Sequence, residues 1–113
     1  MMHERRKYTR YKTDLEITYI YRRGMIAFEG AAEIKNISLG GMKLKVPSAI
    51  KKGEIFLAEI ELPVNQTISA IVSTVWGKPD IDNKHTELGI KFDWVSNINK
   101  LAGYIESLQK KAA

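Results

Sequence analysis

Apolar and polar residues alternate with a period of two along several short segments of the chain, which is typical of β-strands with one buried face. The alternating segments cover residues 15–21, 42–46, 56–62, 68–76 and 88–92. Turn residues stand between most of them, as at Gly24, Pro47, Gly53 and Pro63. The stretch 28–38 is less regular. The pattern therefore predicts a mainly β fold.

Segment 68–76 differs from the others because apolar residues occupy both of its faces. Ile68 and Val72 share one face, while Ile71 and Val75 share the other. We expect this strand to be covered on both sides, in the centre of a sheet or in a closed barrel.

The end of the chain switches to a helical spacing. Ser96 and Asn97 are both suitable N-caps, and apolar residues then recur every three or four positions. These residues are Ile98, Leu101, Ala102, Ile105 and Leu108. We expect one amphipathic helix to pack against the sheet. About six strands and one terminal helix predict a small antiparallel barrel or sandwich.

The composition is that of one ordinary globular domain. The chain has 113 residues, of which 44% are hydrophobic and 27% are charged, and it contains no cysteine. No apolar run approaches the roughly 18 residues that a membrane-spanning helix requires, and the first residues lack the apolar core of a signal peptide. We expect a cytoplasmic protein without a membrane span.

The excess positive charge is concentrated at the start of the chain. Residues 1–12 carry five basic residues and one acidic residue, whereas the remainder carries thirteen basic and twelve acidic residues. We therefore divide the chain into a flexible basic arm, residues 1–12, and a β-rich body with its C-terminal helix, residues 13–113. The arm is rich in arginine, whose planar guanidinium pairs bidentately with phosphate or with the edge of guanine.

Two motifs carry candidate binding chemistry, and the first is RKYTR at residues 6–10. In an extended arm, Arg6 and Arg10 point the same way about 13 Å apart, and in a bend they converge on one anion. Either geometry allows two guanidinium groups to bind one dianionic ligand.

The second motif is NISLGG at residues 36–41, between two predicted strands. Asn36 and Ser38 have the same parity, so a strand would place an amide and a hydroxyl on one face. Gly40 and Gly41 permit a positive φ and a close approach of a ligand, and we expect Gly41→Val to weaken binding while the fold is retained. A polar turn with hairpin glycines is an alternative interpretation of the same residues.

The other polar residues form no catalytic or metal-binding pattern. His3 and His85 are isolated, without a cysteine or a second histidine at ligand spacing, so no metal site is predicted. Ser38 has no recognisable base and orienting acid, and no catalytic residue is assigned. Trp76 and Trp94 are interpreted as core or helix-docking residues. The chain is therefore predicted not to be an enzyme.

The two motifs, in this order and at this spacing, resemble those of the PilZ domain family, in which Arg-x-x-x-Arg precedes (Asp/Asn)-x-Ser-x-x-Gly. The resemblance extends from Glu4 to Lys111 and includes the pair Val75-Trp76, the segment LGIKF at residues 88–92 and the closing helix. It implies a six-stranded antiparallel β-barrel with one C-terminal α-helix. It also implies a receptor for the bacterial second messenger cyclic di-GMP, with no cofactor beyond that ligand.

The resemblance further implies which residues bind cyclic di-GMP. They are Arg6, Arg10, Asn36, Ser38 and Gly41. The two arginines would clamp the phosphates and guanine edges, and the other three residues would line the barrel face that receives a guanine. Arg5 lies beside the matched motif and is an additional candidate, although a solvated charge explains it equally well.

Two alternative functions remain open at this point. A small β-barrel could bind single-stranded nucleic acid, but the nearly neutral charge beyond residue 12 makes nucleic acid a less favoured partner. A PilZ-like adaptor could also share the fold without binding a nucleotide. PilZ domains are associated with motility, pilus assembly, polysaccharide export and transcription, so the expected downstream partner is an unidentified protein of one of these systems.

Overall fold

The computed structural model describes residues 8–47, 53–82 and 84–112, which contain seven strands and one helix. The strands are β1 (Tyr11–Lys12), β2 (Glu16–Arg23), β3 (Ile26–Ile37), β4 (Gly41–Val46), β5 (Ile55–Leu62), β6 (Gln66–Pro79) and β7 (Thr86–Val95). The helix α1 spans Ile98–Ala112.

Six of the strands close into an antiparallel barrel. Their order is β3–β2–β5–β6–β7–β4, and β4 pairs back with β3 to close the ring. The closed ring gives every one of these strands two hydrogen-bonded neighbours, so the sheet has no long open edge. The predicted six-stranded antiparallel barrel with one C-terminal helix is confirmed.

The short strand β1 ties the segment after the arginine motif to the second motif. Tyr11 pairs with Ile37 and Lys12 pairs with Asn36 on β3. The backbone N–H of Ile34 then donates to the carbonyl of Leu15 at 2.9 Å, so β1 and β2 follow one another along the same side of β3. The division into an arm and a body, and the flexibility of the arm, remain predictions, since residues 1–7 lie outside the described part of the chain.

The barrel interior is filled by the residues that alternate inward along each strand. β5 shows this most clearly, because its even-numbered residues are buried and its odd-numbered residues are exposed. Those buried residues are Phe56, Ala58, Ile60 and Leu62. Apolar alternation on the other strands completes one continuous core, so the sequence pattern predicted the inner face of the barrel correctly.

The outer face of β6 does not have the cover that its sequence predicted. Ile71 and Val75 are 40% and 44% exposed, so the expectation that this strand is covered on both sides is wrong. A closed barrel has one interior, and among the described residues no second layer covers these two side chains. Their exposure leaves an apolar surface on the outside of the barrel.

The C-terminal helix α1 begins where its sequence predicted. The side chain of Asn97 accepts a hydrogen bond from the backbone N–H of Lys100 at 3.0 Å and caps the first turn. Leu101 and Ile105 are buried against the barrel. The hydroxyl of Tyr104 shares a hydrogen bond with that of Thr13, which fastens the helix to the segment between β1 and β2. Among the described residues no helix has the length and apolar character needed to cross a bilayer.

Candidate functional site

A cavity of about 230 Å³ opens on the outside of the barrel, where the segment before β1 meets the β3–β4 loop. Its lining comes from four segments of the sequence: the end of the arm, the second motif, strand β6 and strand β7. The lining residues are Tyr8, Arg10, Ser38, Gly40, Gly41, Val75, Trp76, Gly89, Ile90 and Lys91. The fold thus brings both sequence motifs to one place.

Ser38 shapes the loop of the second motif from within. Its hydroxyl oxygen accepts hydrogen bonds from the backbone N–H groups of Gly40 and Gly41 at 3.1 and 3.2 Å. Its own backbone N–H donates to the carbonyl of Gly41 at 2.9 Å, and the residue is only 4% exposed. The loop is therefore the polar turn that the alternative interpretation described, and this turn also forms a wall of the cavity.

Gly41 is required by the packing of the protein's own backbone. A Cβ atom at this position would lie 2.1 Å from the carbonyl oxygen of Ile90 on the neighbouring strand β7. Neither Gly40 nor Gly41 has a positive φ, so their conformation alone does not demand glycine. This contact argues against the expectation that Gly41→Val keeps the fold, because β4 and β7 would have to separate to make room for the side chain.

Gly89 leaves the space that the indole ring of Trp76 occupies. A Cβ atom on Gly89 would lie 2.2 Å from the indole nitrogen of Trp76, so the ring lies directly on the β7 backbone. The two residues are register partners across β6 and β7, next to an irregularity between Thr74 and Trp76. The Nζ of Lys78 lies 5.6 Å from the centre of the indole ring. Trp76 is thus a half-buried aromatic wall of the cavity and not a core residue, which corrects its interpretation from the sequence.

Three of the residues implied by the sequence resemblance line the cavity, namely Arg10, Ser38 and Gly41. Asn36 is absent from the described lining, and it lies on β3 opposite Lys12 of β1. Its Oδ1 atom is buried and has no hydrogen-bond partner among the described residues. Arg5 and Arg6 lie outside the described residues.

The sequence did not single out the other side chains of the cavity for binding. Tyr8 belongs to the first motif and packs over Gly40, where a Cβ atom would lie 2.9 Å from its ring. Lys91 comes from β7, opposite Gly41 of β4, and its position follows only from the strand pairing. The signal that could have found Tyr8 is its place between the two arginines of the motif, on the same arm.

A network of ion pairs lies on the outer face beyond Trp76, and we call it the Lys35 network. Its members are Lys35, Lys43, Lys45, Lys78, Asp80, Asp82 and Glu87. The Nζ of Lys35 lies 3.0 Å from Asp80 Oδ1 and 2.8 Å from Glu87 Oε2. Asp80 and Glu87 are each 6% exposed, although the sequence predicted no burial for either residue. Each buried carboxylate is matched by at least two lysines, so the burial is tolerated.

The pairing shifts the pKa values of the network in opposite directions for acids and bases. Hydrogen bonds to Glu87 and then to Asp80 raise the pKa of Lys35. The hydrogen bond from Lys35 lowers the pKa of Asp80. Burial alone would raise the pKa of Glu87, but Lys35, Lys43 and Lys78 outweigh it and lower that pKa. The pKa shifts of Lys35, Asp80 and Glu87 therefore all favour the charged form of each group.

The described residues contain no group of histidine, cysteine, aspartate or glutamate side chains arranged to hold a metal ion. His85 is hydrogen-bonded through Nδ1 to Asp82 at 2.7 Å in the turn before β7, on the side of the Lys35 network. What the cavity offers chemically is a guanidinium, an ammonium, an indole face and a glycine-rich backbone. These groups are suited to bind an anionic ligand with flat rings.

A sequence model of the PilZ domain matches residues 4–107, and the chain therefore belongs to the PilZ domain family. This assignment covers both motifs and every strand of the barrel. PilZ domains are receptor and adaptor domains that bind cyclic di-GMP as a family. The family resemblance noted in the sequence is thereby confirmed.

Solved structures share the fold at low sequence identity. The Bacillus subtilis inhibitor of motility (MotI/DgrA) superposes with a TM-score of 0.74 at 16% identity, over 97% of this chain and 53% of that one. The PilZ domain of YcgR from Escherichia coli, solved with c-di-GMP, superposes with a TM-score of 0.68 at 17% identity, over 96% of this chain and 95% of that one. The chain thus spans about half the length of the MotI chain. No curated protein sequence matches it.

Proposed function

We propose that this chain is a receptor for cyclic di-GMP, which binds in the cavity between the end of the arm and the Ser38–Gly41 turn. The observation that carries this proposal is that Arg10, from the first motif, and the turn, from the second, border the same cavity. The family assignment supports the choice of ligand, and so does the similarity of the fold to the YcgR PilZ domain, which was solved with c-di-GMP.

The groups around the cavity match the chemistry of this ligand. Cyclic di-GMP presents two phosphodiesters, two guanine edges with O6 and N7 acceptors, and flat purine faces. The Arg10 guanidinium can pair with a phosphate or with a guanine edge, and the face of Trp76 can stack on a purine. Lys91 adds a positive charge on the far wall. In this proposal Arg6 supplies a second guanidinium, and Arg5 is an auxiliary one.

Asn36, Ser38 and Gly41 have different roles in this proposal. Ser38 and Gly41 hold the turn in the shape that leaves the cavity open, through the hydrogen bonds within it. Asn36 contacts a guanine after the paired segment around Lys12 rearranges, which would give its buried Oδ1 atom a donor. Binding would then change the conformation of the arm.

The rearranged arm is the proposed signal to a partner protein. Because the sequence contains no recognisable catalytic pattern, the proposed role is that of a receptor and adaptor without an enzymatic step. The proposed location is the cytoplasm. The partner belongs to the motility, pilus, polysaccharide or transcription machinery in this proposal. It would recognise the ligand-bound arm.

The test is a calorimetric titration with cyclic di-GMP, GTP and a linear oligonucleotide at physiological salt. We expect saturable binding of cyclic di-GMP and much weaker binding of the other two, because only the cyclic dinucleotide places two phosphates and two guanines together. Preferential binding of the oligonucleotide would support a single-stranded nucleic-acid barrel instead. Absence of binding to all three would leave an adaptor that does not bind nucleotides, and the receptor proposal would be rejected.

A further inference from the structure

Four exposed apolar side chains form a continuous row across the outside of the barrel, and we call this row the apolar stripe. Strand pairing joins Ile20 of β2 to Leu57 of β5, Leu57 to Ile71 of β6, and Ile71 to Trp94 of β7. Their exposed fractions are 41%, 40%, 40% and 51%. Because neighbouring strands lie about 4.8 Å apart, the four side chains form one contiguous surface.

On one side of this row the apolar character stops. The next outward positions on the same strands, toward the start of β2, are Thr18, Glu59 and Ser69, which are polar and pair with one another. On the other side Ile55 of β5, 62% exposed, adds to the apolar surface. An outward-facing strand position is normally polar, so an exposed apolar row across four strands indicates a surface that another molecule covers.

The two flanks of the apolar stripe carry opposite charges. On one side stand the exposed carboxylates of Glu16, Glu59 and Glu61. On the other side stand Arg22 at the end of β2 and Lys91 on β7. The Nζ of Lys91 lies 3.8 Å from Asp93 Oδ1, which compensates part of its positive charge, so most of the net positive charge of this flank comes from Arg22.

We propose that the middle of the apolar stripe, around Leu57 and Ile71, is the interface between two copies of this chain, related by a two-fold axis that runs along the stripe at this point. This rotation lays Leu57 and Ile71 of each copy on those of the other and exchanges the flanks, so the acidic flank of one copy meets the basic flank of the other. An axis across the stripe would instead place acids against acids. The surface is therefore self-complementary in the way that an isologous dimer requires. This inference does not depend on the proposed ligand.

The first test is the oligomeric state of the full chain, measured by sedimentation velocity over a concentration series. We expect a reversible dimer, and we expect Leu57→Lys to raise its dissociation constant by about tenfold or more, because it places a charge in the middle of the apolar contact. The control is Ile81→Lys, which adds the same charge at a position 97% exposed in the turn after β6. A monomer at every concentration, or a dimer that Leu57→Lys leaves unchanged, would overturn the proposal.

A second test exchanges charges and leaves the stripe intact. The triple variant Glu16→Lys, Glu59→Lys and Glu61→Lys gives two basic flanks, and Arg22→Glu gives two acidic flanks. Each variant alone should therefore dimerise more weakly than the parent. An equal mixture of the two should form a heterodimer, since a basic flank then meets an acidic one on both sides. All four of these residues are exposed, so none of the changes threatens the fold. Failure of the mixture to associate better than either variant would overturn the two-fold arrangement.

Discussion

Glu87 and Gly89 are neighbouring outward-facing residues on β7, but their surroundings are opposite in character. At Glu87 a buried carboxylate lies within 2.8 Å of Lys35 and is also approached by Lys43 and Lys78. At Gly89 there is no side chain, and the indole of Trp76 lies on the bare backbone beside an open cavity. One region satisfies its charges within the protein, and the other leaves an aromatic side chain and a bare backbone beside open space.

This difference predicts whether a substitution mainly lowers folding stability or mainly weakens ligand binding. In the Lys35 network, removing a charge leaves its partners unmatched, so the cost falls on folding. Around the cavity, a side chain that borders open space can change without loss of a packing partner, so the cost falls on binding. Gly41 is an exception within the cavity wall, because its neighbour is the backbone of Ile90 and not the ligand space.

The largest expected effect is that of Gly41→Val. The added side chain would start 2.1 Å from the carbonyl oxygen of Ile90, so β4 and β7 must separate, and we expect a loss of about 4 kcal/mol in the free energy of unfolding, or no folding at all. Urea unfolding followed by circular dichroism measures it. Gly103→Ala, where no atom lies within 4 Å of the new Cβ, is the control and should stabilise the chain by about 0.5 to 1 kcal/mol. Parental stability of Gly41→Val would show that the two strands have room to spare.

A smaller effect is expected for Glu87→Gln, which removes one charge from the Lys35 network. We expect the free energy of unfolding at neutral pH to fall by about 2 kcal/mol, because the contacts of this buried carboxylate with Lys35, Lys43 and Lys78 all become weaker. Affinity for cyclic di-GMP should change by less than about twofold, since the cavity is untouched. Glu59→Gln on the exposed face of β5 is the matched control, with a change within about 0.5 kcal/mol. If Glu87→Gln impairs binding and spares stability, the two regions are not separate.

The stability difference between the parent and Glu87→Gln should depend on pH, and the direction of the pKa shift of Glu87 predicts how. The pKa of Glu87 is lowered in the folded chain, so its contribution is present above the ordinary carboxyl pKa and is lost as the pH falls through the lowered value. The stability difference between the parent and Glu87→Gln should therefore be full at neutral pH and shrink on acidification below about pH 4. Thermal unfolding over a pH series measures it. A difference that grows on acidification contradicts the proposed pairing.

The smallest expected effect is that of Trp76→Phe on ligand affinity. Phenylalanine keeps an aromatic face but a smaller one, so we expect cyclic di-GMP to bind up to about fivefold more weakly, with part of the stacking retained. Trp76 should also report binding through quenched fluorescence, which the variant would lose. Trp94→Phe, on the apolar stripe, is the control and should retain the quenching. If quenching persists in Trp76→Phe, cyclic di-GMP does not bind next to Trp76.

The inner face of the barrel could be predicted from sequence because burial there follows a period of two. β5 shows the agreement residue by residue, and α1 begins at the predicted cap, Asn97. Ile71 and Val75 were misjudged because an apolar residue on the outer face gives no sign of whether a second layer exists. Their exposure became evident only with the closed barrel.

Only the residues of the candidate site that belong to the two sequence motifs could be predicted from the sequence. Arg10, Ser38 and Gly41 belong to contiguous patterns that can be recognised locally. Trp76 lines the cavity because β6 shifts its register against β7 before Gly89, and no local signal encodes that shift. The burial of Asp80 likewise depends on Lys35, which lies 45 positions away in the sequence.

The central claim is that Arg10 recognises cyclic di-GMP by its geometry, and calorimetric titration of Arg10→Lys tests it most directly. Lysine keeps the charge and removes the planar guanidinium, so affinity should fall by about 5- to 100-fold. The free energy of unfolding should change by less than about 1 kcal/mol, and Arg22→Lys, away from the cavity, should bind as the parent does. We expect Arg6→Lys to resemble Arg10→Lys. If both of these lysine variants bind cyclic di-GMP like the parent, the arginines only attract anions and the account is wrong.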